Sequence, residues 1–206
     1  MSYVLYSSKG SGAFAVEAAL AKAGARYETV PVDTANGDQN DPKFVAINPM
    51  RQVPALKLPD GSVMTESAAM VIHIANVHPD KGLAPTIGSS GHAAYLRWMV
   101  FMAANIYEAD LRYFYAERYT QDPKGVEGVK AAGAAYMAKC FGVVEEALAN
   151  GPFLCGKTMT IADAYLAMLG TWSPEPLKLP RIGKIVAAVA ADSAYGPVWA
   201  RHGMSG

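Results

Sequence analysis

The loop Ser7-Ser8-Lys9-Gly10-Ser11-Gly12 sets three hydroxyls and two glycines just ahead of an alanine-rich stretch, 13–23, that contains no helix breaker. Hydroxyl donors at the start of a helix lie at its positive end, where a bound anion, or a thiol losing its proton, is stabilised. Gly10-Ser11-Gly12-Ala13-Phe14-Ala15 also fits G-x-G-x-x-A, and Asp33 follows near the end of the next extended run. That combination is a dinucleotide fingerprint with its ribose-binding acid. Further on, Asn48-Pro49 and Gln52-Val53-Pro54-Ala55-Leu56 precede Thr65-Glu66-Ser67-Ala68. An amide, a carboxylate and a hydroxyl there flank a residue that its following proline biases to extended backbone. Thr160 with Asp163 three positions later has the spacing of a reciprocal helix cap.

The elements that must position these groups change character along the chain. Residues 3–7 are β-branched and aromatic, 13–23 are helical and stop at Gly24, and 27–32 form a second strand pattern. Strand, helix and strand in about 30 residues make a right-handed βαβ unit with parallel strands. A polar loop at 33–42 and a short helical segment at 43–47 follow. Runs 53–58 and 62–65 then flank Pro59-Asp60-Gly61, a hairpin turn, so they form an antiparallel pair. Ser67 is placed to cap a helix at 68–77. A dinucleotide fold would continue with more parallel βα units, whereas this chain turns to a hairpin, and the architecture overrules the glycine motif. Permission for a tight turn would account for Gly10 and Gly12 but says nothing about the serines around them.

From residue 92 the period is helical, over 94–119, 126–149, 161–172 and 182–191, with breaks at Asp122-Pro123, Gly151-Pro152 and Ser173-Pro174-Glu175-Pro176. The expected organisation is an α/β domain at 1–78, a linker at 79–91 and an all-α domain at 92–206.

Composition narrows the function. The chain has 206 residues, 51% of them hydrophobic and 17% charged, which excludes disorder through low hydropathy and high charge. The 18 Lys and Arg balance 18 Asp and Glu, so the basic footprint of a nucleic-acid binder is missing. The longest apolar runs, such as 68–75, are far short of the ~20 residues that span a bilayer. The first residues lack a basic segment before a long apolar run, so a cytoplasmic protein with no membrane partner is expected. Cys140 and Cys155 read as small apolar residues. His73 reads as a packed helix residue, and His78, His92 and His202 show no ligand spacing, so no metal is expected.

The Gln52-Val53-Pro54 segment, Asn48-Pro49 before it and Glu66-Ser67 after it resemble the glutathione transferase family, and Thr160-Ile161-Ala162-Asp163 resembles that family's buried-helix cap. The resemblance spans essentially the whole chain. It implies a thioredoxin-like domain with a cis Val-Pro bond, followed by a helical domain, and a cytoplasmic homodimer active in detoxification. Glutathione is then the co-substrate, conjugated to a small hydrophobic electrophile.

Glutathione offers two carboxylates, an amine, peptide groups and a thiol. Val53, ahead of Pro54, suits its backbone; Glu66 suits its amine; Ser67 and the adjoining helix N–H groups suit its γ-glutamyl carboxylate; and Gln52 stands beside them. Lys9-Gly10-Ser11 lines up with the Pro-Gly-Ser stretch of serine-type members, with Lys9 in place of the proline, which selects Ser11 for the thiol. Ser7, Ser8 and Tyr6 remain alternatives. No cysteine occupies this loop, so the thiol exchange of cysteine-type members is not expected. Among Tyr107, Tyr113, Phe114, Tyr115 and Tyr119, the resemblance points to Tyr107 and Tyr115 as walls of the electrophile pocket. The alternative is a protein that keeps this architecture to bind or regulate, without turnover.

Overall fold

The computed structural model describes residues 2–173 and 179–204, so most of the expected break at 173–176 lies outside the described residues. Strands β1 (Tyr3–Ser7) and β2 (Tyr27–Pro31) pair in parallel, Tyr3 opposite Tyr27 and Ser7 opposite Pro31. Helix α1 (Ala13–Ala23) is the crossover, and it ends at Gly24, whose φ of 65° is the left-handed conformation that a residue without Cβ enters freely. Helix α2 (Pro42–Val45) is capped by Asp41, which accepts a hydrogen bond from the Lys43 N–H at 2.7 Å.

Strand β3 (Ala55–Lys57) pairs antiparallel with β1 and with β4 (Val63–Met64), giving the order β2-β1-β3-β4. Both strands are shorter than their hydrophobic runs. Pro54 has no N–H to extend a ladder, and the Leu58 N–H closes the turn on the Ser62 carbonyl at 2.8 Å. Helix α3 (Ser67–Val77) begins at Ser67 itself, with Glu66 at the cap position and no side chain closing it. That corrects the capping role expected of Ser67, whose hydroxyl is used elsewhere. The result is the expected thioredoxin-like sheet and helices.

The rest of the described chain is helical. Helix α4 (Ser90–Phe101) starts ahead of its periodic pattern, because Ser89 accepts from the His92 N–H at 3.2 Å and so caps it. Residues Met102–Tyr107 wind as a π-helix into α5 (Glu108–Phe114), and the helical run expected to reach 119 gives way after Phe114 to a single tighter turn, Ala116–Arg118. Helices α6 (Val126–Ala147), α7 (Ile161–Thr171) and α8 (Pro180–Ala191) lie where the periodicity puts them. Helix α9 (Tyr195–Arg201) does not show in the sequence, because Gly196-Pro197 interrupts a seven-residue pattern.

Helix α1 is the centre of this packing. Nearly all of it is buried, and it touches α3, α7 and α9. A helix that is apolar all round belongs in a core. Its one acid, Glu17, is buried too, and accepts from Arg201 at 2.6 Å, His202 at 2.8 Å and the Tyr27 hydroxyl at 3.2 Å. Burial pushes the Glu17 carboxyl up, but the hydrogen bonds from His202 and Arg201 outweigh that and hold it below its ordinary value.

At the head of α7, Asp163 is 0% exposed and accepts from the Thr160 N–H at 2.7 Å, the Thr160 hydroxyl at 2.9 Å and the Leu154 N–H at 2.9 Å. Asp163→Ala leaves the Leu154 and Thr160 N–H groups buried without an acceptor. The expected cost is about 1–3 kcal/mol of stability. An unchanged melting temperature would show that water replaces the carboxylate at no loss.

Candidate functional site

The hairpin builds one wall. Leu56 faces Met64 and Lys57 faces Val63, so the chain entering β3 from Val53 and Pro54 and the chain leaving β4 toward Glu66 and Ser67 lie at the same end of the hairpin. The Val53-Pro54 bond is cis. Asn48, 2% exposed, fixes the approach to it by donating from Nδ2 to the Gln52 carbonyl at 2.7 Å and accepting from the Met50 N–H at 3.1 Å. Gln52 is left exposed at the rim, and among the described residues nothing pairs with the Val53 N–H or C=O. That edge is free to take an extended peptide.

Glu66 is exposed and has a φ of 65°. A non-glycine residue held in that region costs on the order of 1–3 kcal/mol, and such residues gather at ligand sites. Glu66 holds the cap position of α3, whose first N–H groups no carbonyl in the helix can satisfy. Ser67 is buried, its hydroxyl 2.9 Å from that of Tyr165 on α7. Burial pushes the Tyr165 phenol up to about 12, so it stays neutral.

The opposite wall is the N-terminus of α1 with the π segment over it. Ser11 donates its proton to the Ser8 carbonyl at 2.7 Å, and its oxygen accepts from the Ala13 N–H at 3.2 Å. The hydroxyl is thus engaged within the loop and the first turn. Gly10 has a φ of 68°, which explains a glycine there, whereas Gly12 has an ordinary helical φ of −56°. What Gly12 provides is space. A Cβ on it would stand 2.8 Å from the Tyr107 hydroxyl and 3.5 Å from Cδ of Pro54. Tyr107 therefore reaches from the helical half to the junction of α1 and the hairpin, its ring packed edge-on against Trp172 with centroids 5.2 Å apart.

The remaining candidates are placed elsewhere. Tyr6 packs its ring on Phe44, centroids 5.9 Å apart. Ser7 and Ser8 line a separate cavity of about 450 Å³ with Glu17, Arg201 and His202, which includes none of Val53, Glu66 and Ser67. Its size does not make it the site, since neither the unpaired peptide edge of Val53 nor the start of α3 lines it. Tyr115 is exposed at the end of α5, with the Arg118 guanidinium 3.9 Å over its ring. Among the described residues, no group of three or more His, Cys, Asp or Glu could hold a metal ion, and no helix is long and apolar enough to cross a membrane.

Asn48, Tyr165, Gly12 and Trp172 belong to this constellation and were not singled out as site residues by the sequence. Asn48 and Gly12 stood in motifs quoted for other reasons, and Tyr165 carried a signal of its own, a hydroxyl that needs a partner in an otherwise apolar helix.

Fold and cleft together define a thioredoxin-like binding domain joined to an all-α domain. Residues 1–76 match the family model for the glutathione S-transferase N-terminal domain. The chain is 31% identical over 167 residues to glutathione S-transferase Z2 of Arabidopsis thaliana, covering 79% of this chain and 73% of that one. The chain belongs to the glutathione S-transferase family. It is also 29% identical over 170 residues to glutathione S-transferase GstA of Escherichia coli O157:H7, covering 82% and 81% of the two chains. Among solved structures it resembles a glutathione transferase homologue from Sulfitobacter with bound glutathione, at a TM-score of 0.90 and 28% identity over 98% of this chain and 99% of that one.

One acid beneath the site is buried against its interest. Asp110, one turn after Tyr107, is 6% exposed, its Oδ1 has no partner, and burial pushes its carboxyl up to about 7. Its charged form is disfavoured in the folded state, so stability is lost as pH rises from the ordinary carboxylate range through 7. Asp110→Asn should leave the melting temperature unchanged below pH 4 and raise it at pH 8. Melting curves across that range check this, and a constant difference at every pH would contradict it.

Proposed function

We propose that the chain is a glutathione transferase that conjugates the glutathione thiolate to a small hydrophobic electrophile. The observation that carries this reading is the hairpin, which brings the unpaired main chain of Val53 and the head of α3, with Glu66 and Ser67, to its same end. Val53 pairs with the tripeptide backbone, Glu66 takes the amine, and Ser67 with the first α3 N–H groups takes the γ-glutamyl carboxylate. Gln52 lends a neutral donor and acceptor at the rim, and Pro54 forms the floor. The thiol end lies toward Ser11 and Gly12 at the N-terminus of α1. The electrophile lies on the helical side, against Tyr107 and Tyr115. Family membership and the glutathione held by the Sulfitobacter homologue support the ligand.

The same reading gives residues 1–78 to glutathione, 79–91 to a linker and 92–206 to the electrophile, in a cytoplasmic homodimer that serves detoxification and needs no metal.

Calorimetric titration should show glutathione binding and no NAD binding, and an activated aryl halide should be conjugated. Glu66→Gln and Ser67→Ala should each weaken glutathione about tenfold, or ~1.4 kcal/mol. NAD binding in place of glutathione would sink the reading. Glutathione binding with no conjugation of any electrophile would leave a binding protein rather than a transferase.

A further inference from the structure

We propose that the Tyr107 hydroxyl, rather than that of Ser11, donates the hydrogen bond that stabilises the thiolate of bound glutathione, so that the helical half of the chain supplies a catalytic residue. This rests on the glutathione reading of the cleft. A tripeptide paired on Val53 sets its central residue beside Pro54, and the Tyr107 oxygen lies at that junction, 2.8 Å from where a Gly12 side chain would begin. Gly12 needs no glycine for its backbone, since its φ of −56° and ψ of −11° suit any residue. The phenol occupies the place from which a side chain at the mouth of α1 would act.

The helical half holds the hydroxyl there. The six-residue π segment ends at Tyr107. One residue inserted by such winding turns all later side chains by about 100°, a single step on a 3.6-residue turn. The carbonyl of Phe101, the residue before this segment, receives the Asn105 side-chain amide at 3.0 Å, and Asn105 in turn accepts from the Tyr136 hydroxyl at 2.7 Å. Trp172 fixes the ring from the side. Among the described residues nothing accepts the Tyr107 proton.

The other hydroxyls near the mouth of α1 are engaged elsewhere. Ser11 gives its only proton to the Ser8 carbonyl and spends its oxygen on the Ala13 N–H. Ser7 and Ser8 line the other cavity, and Tyr6 packs on Phe44.

Burial raises the Tyr107 pKa, and the surroundings of Tyr165, Asp110, Tyr115 and Glu66 raise it further, so the phenol keeps its proton and serves as a donor. In the reaction the thiol proton leaves to solvent. The thiolate electron pair forms the new S–C bond, and the electrophile's leaving group departs with the electrons of the bond that breaks. Tyr107 stays protonated throughout, and the α1 N-terminus adds its positive end to the same sulfur.

The test reads the pKa of the bound thiol from the ultraviolet absorbance of its thiolate as pH is varied. Tyr107→Phe should raise that pKa by about one to two and cut turnover at pH 7 roughly 10- to 100-fold, with the deficit closing as pH rises. Its glutathione dissociation constant should stay within about twofold, because Val53, Glu66 and Ser67 hold the rest of the tripeptide. Ser11→Ala should leave the thiol pKa where it is. Gly12→Ala, which forces the hydroxyl aside, should reproduce the Tyr107→Phe shift and add nothing in the Tyr107→Phe background. A thiol pKa that moves in Ser11→Ala and stays put in Tyr107→Phe overturns the assignment, as does a Gly12→Ala shift that persists in full without the hydroxyl. In both cases unimpaired glutathione binding would leave the cleft reading standing. A wild-type chain that fails to bind glutathione removes both.

Discussion

Burying α1 on every side is the constraint on which the rest of the molecule depends. The helix lies against the sheet it connects, and α3, α7 and α9 cover its other faces. A small, alanine-rich surface lets the three helices approach closely, and close approach is what brings residues nearly a hundred positions apart to the mouth of one helix. Glu17 shows how strict this is. A carboxylate inside such a helix is tolerable only with its lone pairs filled, and Arg201 and His202 at the end of α9 fill them. The C-terminal turn is thereby tied to the middle of the first domain.

With α1 fixed, the cleft follows from two independent devices. The hairpin brings an unpaired peptide edge and a helix start to its same end, which is a backbone arrangement and needs little from side chains. The helical half then brings hydroxyls onto it, Tyr165 to Ser67 and Tyr107 to Gly12. These phenols are neutral, and burial keeps them so. Neutral donors in a water-poor place favour an anion by their dipoles, without the desolvation that a lysine or arginine would suffer there. Asp110 is the exception, an acid whose burial leaves it close to half-protonated near neutral pH.

Strands, turns and caps are legible in the chain because each is decided by neighbours a few residues apart. The pattern of 3–7, 13–23 and 27–32 gives the βαβ unit, Pro59-Asp60-Gly61 gives the hairpin, and Thr160 with Asp163 gives the cap of α7. Gln52, Val53, Pro54, Glu66 and Ser67 are legible for the same reason, since they sit at fixed distances from that turn. Short-range signals also misplace things: the hydroxyl of Ser67 suits a helix cap, yet Tyr165, which no local rule connects to it, draws it into the interface.

By itself, then, the sequence determined the order of elements, the hairpin and the extended edge ahead of Pro54, because backbone propensity, turn chemistry and period-two or period-3.6 patterning act locally. Only the tertiary structure decided that α4 and α5 join through a π segment, that Tyr107 stands at Gly12, and that the Ser11 proton is already given to Ser8. The difference is physical. The meeting of Tyr107 and Gly12 is set by how two separately folded surfaces pack, and a one-residue change in helical winding between them redirects a side chain by about 100°.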